Sequence, residues 1–270
     1  MSPPLIFFSD AHLGAPLLND DKAREKKVIE LLEHAARLNA VIYIVGDLFE
    51  FWFEYQQAIP KKNFAVLAKL WQLTSSGAEI HYLAGNHDMW LGKFLRDELG
   101  LITHQNETRI QHEQNDIIVT HGDGVANSDN GYRFLKRIFR NKLNIALYRL
   151  IHPDFGIPFA KKMSQVSRKK SFTVDPLAKE YRMFALGAFD ILGANVVIMG
   201  HTHEAKHEIF ADKHYINLGD WISHYSYCQI QNGEISIRQW PSTELYVQPV
   251  VYKEIPVNGH QQIAGALVKK

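Results

Sequence analysis

Five short stretches of this 270-residue chain combine metal-coordinating side chains with residues that tolerate tight backbone: Asp10-Ala11-His12, Gly46-Asp47, Gly85-Asn86-His87-Asp88, His121-Gly122-Asp123 and Gly200-His201-Thr202-His203. Turn chemistry would account for any one of them, since Gly, Asn and Asp all accept tight or left-handed conformations. It does not account for five. The donors are imidazole, carboxylate and one amide oxygen, without thiolate, a set that suits Mn2+, Fe2+, Zn2+ or, less ideally, Mg2+. Seven candidates (Asp10, His12, Asp47, Asn86, His121, His201 and His203) exceed what one ion needs, so two ions sharing a carboxylate are expected. In extended backbone, residues two apart project to the same side. On that basis Asp10 with His12, and His201 with His203, would each aim a pair of ligands at one place, while glycines at 46, 85, 122 and 200 let the backbone turn sharply.

Each stretch follows an apolar or β-rich run: 5–9, 41–45, 79–84, 116–120 and 195–199, with a sixth run at 214–218. α/β sheets bind ligands at the carboxyl ends of their strands. Between the early runs lie helical patterns at 21–38, 63–73 and 89–99; the first places Val28, Ile29, Leu31, Leu32, Ala35 and Leu38 on one stripe behind a cap at Asp20 or Asp21. Strands alternating with helices predict a layered α/β fold with its sheets covered on both faces. Two alternating runs around Asn232-Gly233, residues 227–240, predict a hairpin. From about 129 to 190 the pattern is helical, with breaks expected at Pro153, Pro158 and Pro176. It reads as a helical cap inserted in a domain of residues 1–240, and residues 241–270 as a tail without usable periodicity.

Net charge is +1, yet residues 133–182 hold 13 Lys and Arg against 3 Asp and Glu, or +10, which leaves −9 for the remainder. That polarisation points to an anionic partner for the cap. The same segment is rich in large apolar groups (Phe134, Leu135, Ile138, Phe139, Leu143, Leu147, Tyr148, Leu150, Ile151, Phe155 and Phe159), most of which are expected to pack as helix core. Cys228 is the single cysteine, so there is no intramolecular disulfide and no cysteine-rich zinc site; a reducing, cytosolic setting fits. The opening residues lack the basic region of a secretory signal, and no run approaches the roughly 20 apolar residues of a membrane span. His34, His81, His104, His112, His152 and His260 read as structural or exposed. His207, His214 and His224 follow the last motif and are weaker candidates for the site. Trp52, Trp71, Trp90 and Trp221 read as core anchors, and Cys228 as an inert, partly buried thiol.

Taken in order, D-x-H, G-D, G-N-H-D, H-G-D and G-H-T-H resemble the calcineurin-like metallophosphoesterase superfamily over residues 5–221. The resemblance implies a sandwich of two mixed sheets flanked by helices, with a dinuclear centre at one edge. Asp10, His12 and His203 would hold one ion, Asn86, His121 and His201 the other, and Asp47 would bridge them. It further implies hydrolysis by in-line attack of an activated water on phosphorus, His87 beside Asn86 assisting the leaving oxygen or stabilising the transition state, and Asp88 orienting its neighbours. Residues 46–55 and 121–137 resemble the UDP-2,3-diacylglucosamine pyrophosphatases of lipid A synthesis. That likeness implies release of UMP and 2,3-diacylglucosamine 1-phosphate, substrate contacts from Asp129 and Tyr132 and from Arg168, Lys169 and Lys170, Mn2+ as the favoured ion, and peripheral contact with an anionic membrane at its cytoplasmic face. The best-known members carry arginine where His87 stands, placing this chain on a divergent branch. A phosphoesterase acting on soluble nucleotides is the alternative. A nuclease, a lesser alternative, also matches the charge, with Phe134, Phe139 and Tyr148 as candidate stacking residues, and a non-catalytic scaffold would have lost ligands that are all present here.

Overall fold

Tyr43 and Ile44 are neighbours on one strand and belong to different apolar layers. In β2 (Val41–Val45) the side chains of Ile42 and Ile44 pack beneath the helices α1 (Asp21–Arg37) and α2 (Phe64–Ser75), while Tyr43 and Val45 face a second sheet. This period of two, applied to strands buried on both sides, gives a helix–sheet–sheet–helix sandwich. The structure, a computed structural model, describes residues 2–15, 20–125, 136–171 and 178–254.

The first sheet has seven strands in the order β12-β11-β10-β1-β2-β3-β4. β1 (Leu5–Phe8), β2, β3 (Ile80–Leu83) and β4 (Ile102–His104) run parallel; β10 (Ser226–Gln231), β11 (Glu234–Gln239) and β12 (Leu245–Val247) add antiparallel pairs. The second sheet has six, in the order β13-β8-β9-β7-β6-β5. Its parallel centre is β6 (Asn115–Thr120), β7 (Val196–Met199) and β9 (Lys213–Leu218), flanked by β5 (Thr108–His112), β8 (Ala205–Phe210) and β13 (Val250–Tyr252). The two mixed sheets flanked by helices agree with the expected fold. Residues after Pro241, which carry no readable pattern, supply an edge strand to each sheet.

The hairpin of β10 and β11 turns at Asn232 and Gly233, both with positive φ, 54° and 79°, as a two-residue type I′ turn requires. Asp20 caps α1, its side chain accepting from the Ala23 N–H. The second sheet is covered by α6 (Ala178–Ile191), whose Tyr181, Phe184, Ala185 and Phe189 pack against Ile118, Val197, Met199 and Phe210. Ahead of it lie α4 (Lys142–Arg149) and α5 (Pro153–Ser171). Residues 139–161 dock onto the sandwich through Tyr148, whose ring packs 4.7 Å from that of Phe53, through the Trp90 indole N–H donating to Phe139 O at 2.8 Å just ahead of α4, and through Lys161 Nζ of α5 donating to Gly14 O at 3.1 Å.

Several expectations are corrected. Residues 89–99 are helical only over α3 (Phe94–Asp97). The preceding turn is tied sideways instead: Trp90 bridges to Phe53, and the Glu54 carboxylate accepts from Phe94 N. Pro158 does not break its helix; α5 runs through it, because a proline in the second turn forfeits a single backbone bond on an exposed face. Trp71 is 55% exposed, since α2 buries the stripe of Val66, Leu67 and Leu70 and Trp71 lies off it. Cys228 is fully rather than partly buried. Most of the described apolar cap residues are not core: α4 buries no residue, and Leu143, Leu147, Leu150, Ile151, Phe155 and Phe159 are all exposed, Leu150 by 82%, while Phe134 and Leu135 lie outside the described residues. Helical periodicity foretold their stripe, but no layer among the described residues covers it. Chemical denaturation should register this difference: Phe189→Ala is expected to cost about 3–5 kcal/mol, and Leu150→Ala no more than about 0.5 kcal/mol.

Candidate metal centre

Six parallel strands, three from each sheet, end at the same edge and each is followed by a polar side chain. β1 leads to Asp10 and His12, β2 to Asp47, β3 to Asn86 and His87, β6 to His121, β7 to His201 and His203, and β9 to Asp220. The ligand atoms group in threes within 4.8 Å of one another: Asp10, His12 and His203; Asp47, His121 and His201; and His12, Asp47 and His87. Asn86 joins the second group, its Oδ1 lying 3.1 Å from His121 Nε2. All seven predicted ligands therefore meet.

They do not meet by strand alternation. Asp10, His12, Asp47, His201 and His203 have φ of 56°, 45°, 52°, 70° and 59°, so each sits in left-handed rather than extended backbone. Non-glycine residues held there store about 1–3 kcal/mol apiece, and such strain clusters at functional sites. Hydrogen bonds from neighbouring loops hold the kinks: Asp10 N donates to Gly46 O, His12 N to Asp47 O, and His201 N to Asp10 Oδ2 at 3.0 Å. Close approach is needed as well. A Cβ at Gly85 would collide with the Asp47 carboxylate, and one at Gly200 would lie 2.7 Å from Asp10 Oδ2.

Asp47 is the hub. Its Oδ2 lies 3.4 Å from His121 Nε2, 3.7 Å from His12 Nε2 and 3.9 Å from His87 Nε2, and its Oδ1 accepts from the His87 N–H at 2.9 Å. Asp88, fully buried, accepts from the N–H groups of Asp47 and Gly85 and from the Tyr82 hydroxyl, so it pins the loop that carries Asn86 and His87. Burial and the Asp47 charge push its carboxyl up to about 6.

The residues fit divalent cations. Asp10 Oδ1 is buried without a hydrogen-bond partner, although His203 Nε2 at 3.5 Å and His12 Nε2 at 3.7 Å both face it. The Nδ1 atoms of those two rings face carboxylates, His12 toward Glu50 Oε2 at 3.2 Å and His203 toward Asp220 Oδ2 at 3.3 Å. A carboxylate only accepts, so both Nδ1 atoms donate and both Nε2 lone pairs point inward, 3.3 Å apart. A proton or a cation must separate them. The charges say the same. Burial opposes ionisation of Asp10, but His203, His12 and His121 hold its pKa down to about 2. Burial is likewise outweighed at Asp47, chiefly by His121, and at His121, chiefly by Asp47: the carboxyl is held well below its ordinary range and the imidazole well above. His201 is pushed down to about 4 by burial and by His121. The centre demands positive charge that one imidazolium only begins to supply.

Glu50 and Asp220 went unread in the sequence. Asp220 had a signal, since Gly219-Asp220 after the strand at 214–218 repeats Gly46-Asp47 after β2. Glu50 had none beyond lying three residues past Asp47. His207 and His214 pair with each other at 2.9 Å instead of joining the centre, and His224 contributes only its backbone N–H, donated to Asp220. Asp123 pairs with Lys136 at 2.5 Å. Asp129 and Tyr132 lie outside the described residues, as do the side chains of Arg168, Lys169 and Lys170 at the end of α5.

A family profile described as calcineurin-like phosphoesterase matches residues 3–205. Among curated proteins, UDP-2,3-diacylglucosamine hydrolase of Porphyromonas gingivalis is 31% identical over 84% of this chain and 94% of its own length. The proteins of that name from Ectopseudomonas mendocina and Proteus mirabilis are 29% and 25% identical, covering 80% and 87% of this chain and 90% and 98% of theirs.

Gly85→Ala tests the packing at the hub. Its Cβ displaces Asp47, so a loss of about 1–3 kcal/mol should be accompanied by weaker divalent-cation binding in calorimetry. Gly77→Ala, whose positive φ meets open space, should cost about 1–2 kcal/mol with cation binding unchanged.

Proposed function

The chain belongs to the calcineurin-like phosphoesterase family, and from that premise we propose that it hydrolyses UDP-2,3-diacylglucosamine to UMP and 2,3-diacylglucosamine 1-phosphate at a centre of two divalent cations, Mn2+ foremost. The observation that carries the hydrolytic reading is the pair of ligand groups meeting at Asp47, with the partnerless Asp10 Oδ1 between two imidazoles. The names of the curated relatives, each matched over most of its length, support the substrate.

In this reading Asp10, His12 and His203 hold one cation, Asn86, His121 and His201 the other, and Asp47 is shared. When bound, such a pair acidifies a water and polarises phosphoryl oxygens. The protein fixes where these events occur. Three strands from each sheet make the frame rigid, so little reorganisation remains for the moment of reaction. His87 is placed for the leaving oxygen. Its Nδ1 lies 3.1 Å from the Glu50 backbone oxygen, which can only accept; Nδ1 therefore carries the proton and Nε2 is turned toward Asp47 and the centre. In the protonated ring, Nε2–H donates to the departing phosphate, the place that arginine takes in the better-known members.

Residues 136–171 supply the remainder. Lys161 ties α5 to Gly14, two residues beyond His12, and two turns further along that helix come Arg168, Lys169 and Lys170, which with Asp129 and Tyr132 we assign to the diphosphate and sugar. The exposed Leu143 and Leu147 of α4, Leu150 at its C-cap, and Phe155 and Phe159 of α5, interleaved with exposed Lys142, Arg149 and Lys162, suit acyl chains at an anionic membrane surface. Among the described residues no helix is long and apolar enough to cross a membrane. Peripheral contact at the cytoplasmic face is the arrangement proposed.

Incubation with UDP-2,3-diacylglucosamine and Mn2+ should release UMP, and Asp47→Asn should slow this more than about a hundredfold. Equal turnover of a UDP-sugar without acyl chains would favour the soluble-nucleotide alternative instead. Replacing Leu143, Leu147 and Leu150 together by serine should reduce co-sedimentation with phosphatidylglycerol vesicles while hydrolysis of a short-chain analogue persists; undiminished sedimentation would detach the membrane from this face.

A further inference from the structure

Lys161 carries a charge that its surroundings only partly answer. Lys162, next to it on α5, is exposed, as helical lysines usually are; Lys161 is half-buried. Its ammonium has three N–H bonds to give. One goes to Gly14 O at 3.1 Å, and among the described residues no carboxylate comes near enough to form an ion pair with it. The two carboxylates whose charge reaches it are engaged elsewhere: Glu50 with His12 Nδ1 at 3.2 Å, and Asp21 with the Gly14 N–H at 2.8 Å, Arg24 at 2.7 Å and Lys62 at 3.4 Å. Burial and the nearby Lys62 charge hold the Lys161 pKa below its ordinary value, an effect that Glu50 and Asp21 oppose without cancelling. Two other cap cations differ. Lys136 is spent on Asp123 at 2.5 Å, and Arg140 on Asn106 Oδ1 and Gln105 O at 3.1 and 3.2 Å. The close approach of Lys161 is also built in, since Gly14 has φ of 89° and a Cβ there would lie 3.2 Å from Nζ.

Gly14 lies two residues past His12, and Glu50 backs the His12 ring. The ammonium therefore stands at the rim of the group formed by Asp10, His12 and His203, on the side from which α5 approaches. On the UDP-2,3-diacylglucosamine reading above, on which this inference rests, the cap is the side of the sugar and the acyl chains. UMP forms by attack at the α-phosphorus, so the phosphate that departs is the one joined to the sugar. We propose that Lys161 binds this second phosphate, and that it makes the site select diphosphates over esters of a single phosphate. As the water oxygen bonds to the α-phosphorus, the bond to the bridging oxygen breaks and its electron pair stays on the leaving phosphate. Lys161 meets that added charge with its two remaining N–H groups. Gly14 O holds the side chain at the rim beforehand, so little ordering is left for the moment of binding.

The test compares two substrates with Mn2+ across variants of the full chain: UDP-2,3-diacylglucosamine, and bis(p-nitrophenyl) phosphate, whose single phosphorus leaves Lys161 nothing to hold. Lys161→Met keeps the apolar stem and removes the charge. It should lower kcat/KM on the diphosphate by about 10–100-fold, the worth of a hydrogen bond to a charged group, and by about tenfold more than on the diester. Lys161→Arg should recover most of the loss. Lys161→Gln still offers Gly14 O a donor but carries no charge, and should behave as Lys161→Met does; recovery to the wild-type rate would show that only the tie to Gly14 matters and overturn the inference. Equal losses on both substrates, or no loss on either, also overturn it and leave the hydrolase reading standing. Turnover of the diester by the wild-type protein without release of UMP from UDP-2,3-diacylglucosamine overturns the substrate reading, and this inference with it. Thermal melts establish the folding of each variant, and Lys161→Gln against Lys161→Arg decides the matter if Lys161→Met fails to fold.

Discussion

One buried negative charge organises this molecule. The Asp47 carboxylate lies within 3.4–3.9 Å of ring nitrogens from three histidines and accepts a hydrogen bond from the backbone N–H of one of them, His87. An isolated carboxylate in such a place would be prohibitively expensive; this one is tolerable because positive charge is brought to it from both sheets. The sandwich is the means of doing so. Parallel strands with their carboxyl ends at one edge let six loops, none adjacent in sequence to all the others, reach the same few ångströms.

The loops bear a cost for it. Five of the seven candidate ligand positions occupy left-handed backbone, and they persist because the strands before them are locked in an apolar core on both faces. Rigidity and strain are thus coupled: the β1 and β7 runs, buried at every position, resist the relaxation that would let Asp10 or His201 swing away. Asp88 performs the same service within a loop, tying Asp47, Gly85 and Tyr82 together so that Asn86 and His87 project from a fixed turn.

Much of this was legible in the sequence, for a reason that also marks the boundary of legibility. Apolar runs ending in ligand-type residues locate a site because strand ends are placed by the fold, not by side-chain conformation. Glu50 escaped notice since its role depends on where one rotamer points, which no spacing rule encodes. Asp220 was open to the same logic as Asp47 and required only that the sixth run be followed to its end. The backbone conformation at Asp10 and His12 inverts the extended geometry expected from a D-x-H pattern, because convergence on a point demands a kink where a strand would continue. The cap shows a different limit: the spacing of Leu143, Leu147 and Leu150 defines a helical stripe and says nothing of whether protein, lipid or water lies over it. Residues 89–99 carry helical periodicity that Glu54 and Phe53 override by side-chain and backbone contacts from a distant loop.

The central claim is that Asp47 stands between two cations, and diffraction addresses it most directly. Crystals grown with Mn2+ and measured at the manganese absorption edge should show two anomalous peaks about 3.5–4 Å apart, one beside Asp10 and one beside His121, with the Asp47 carboxylate between them. A single peak, or two peaks remote from Asp47, would contradict the account.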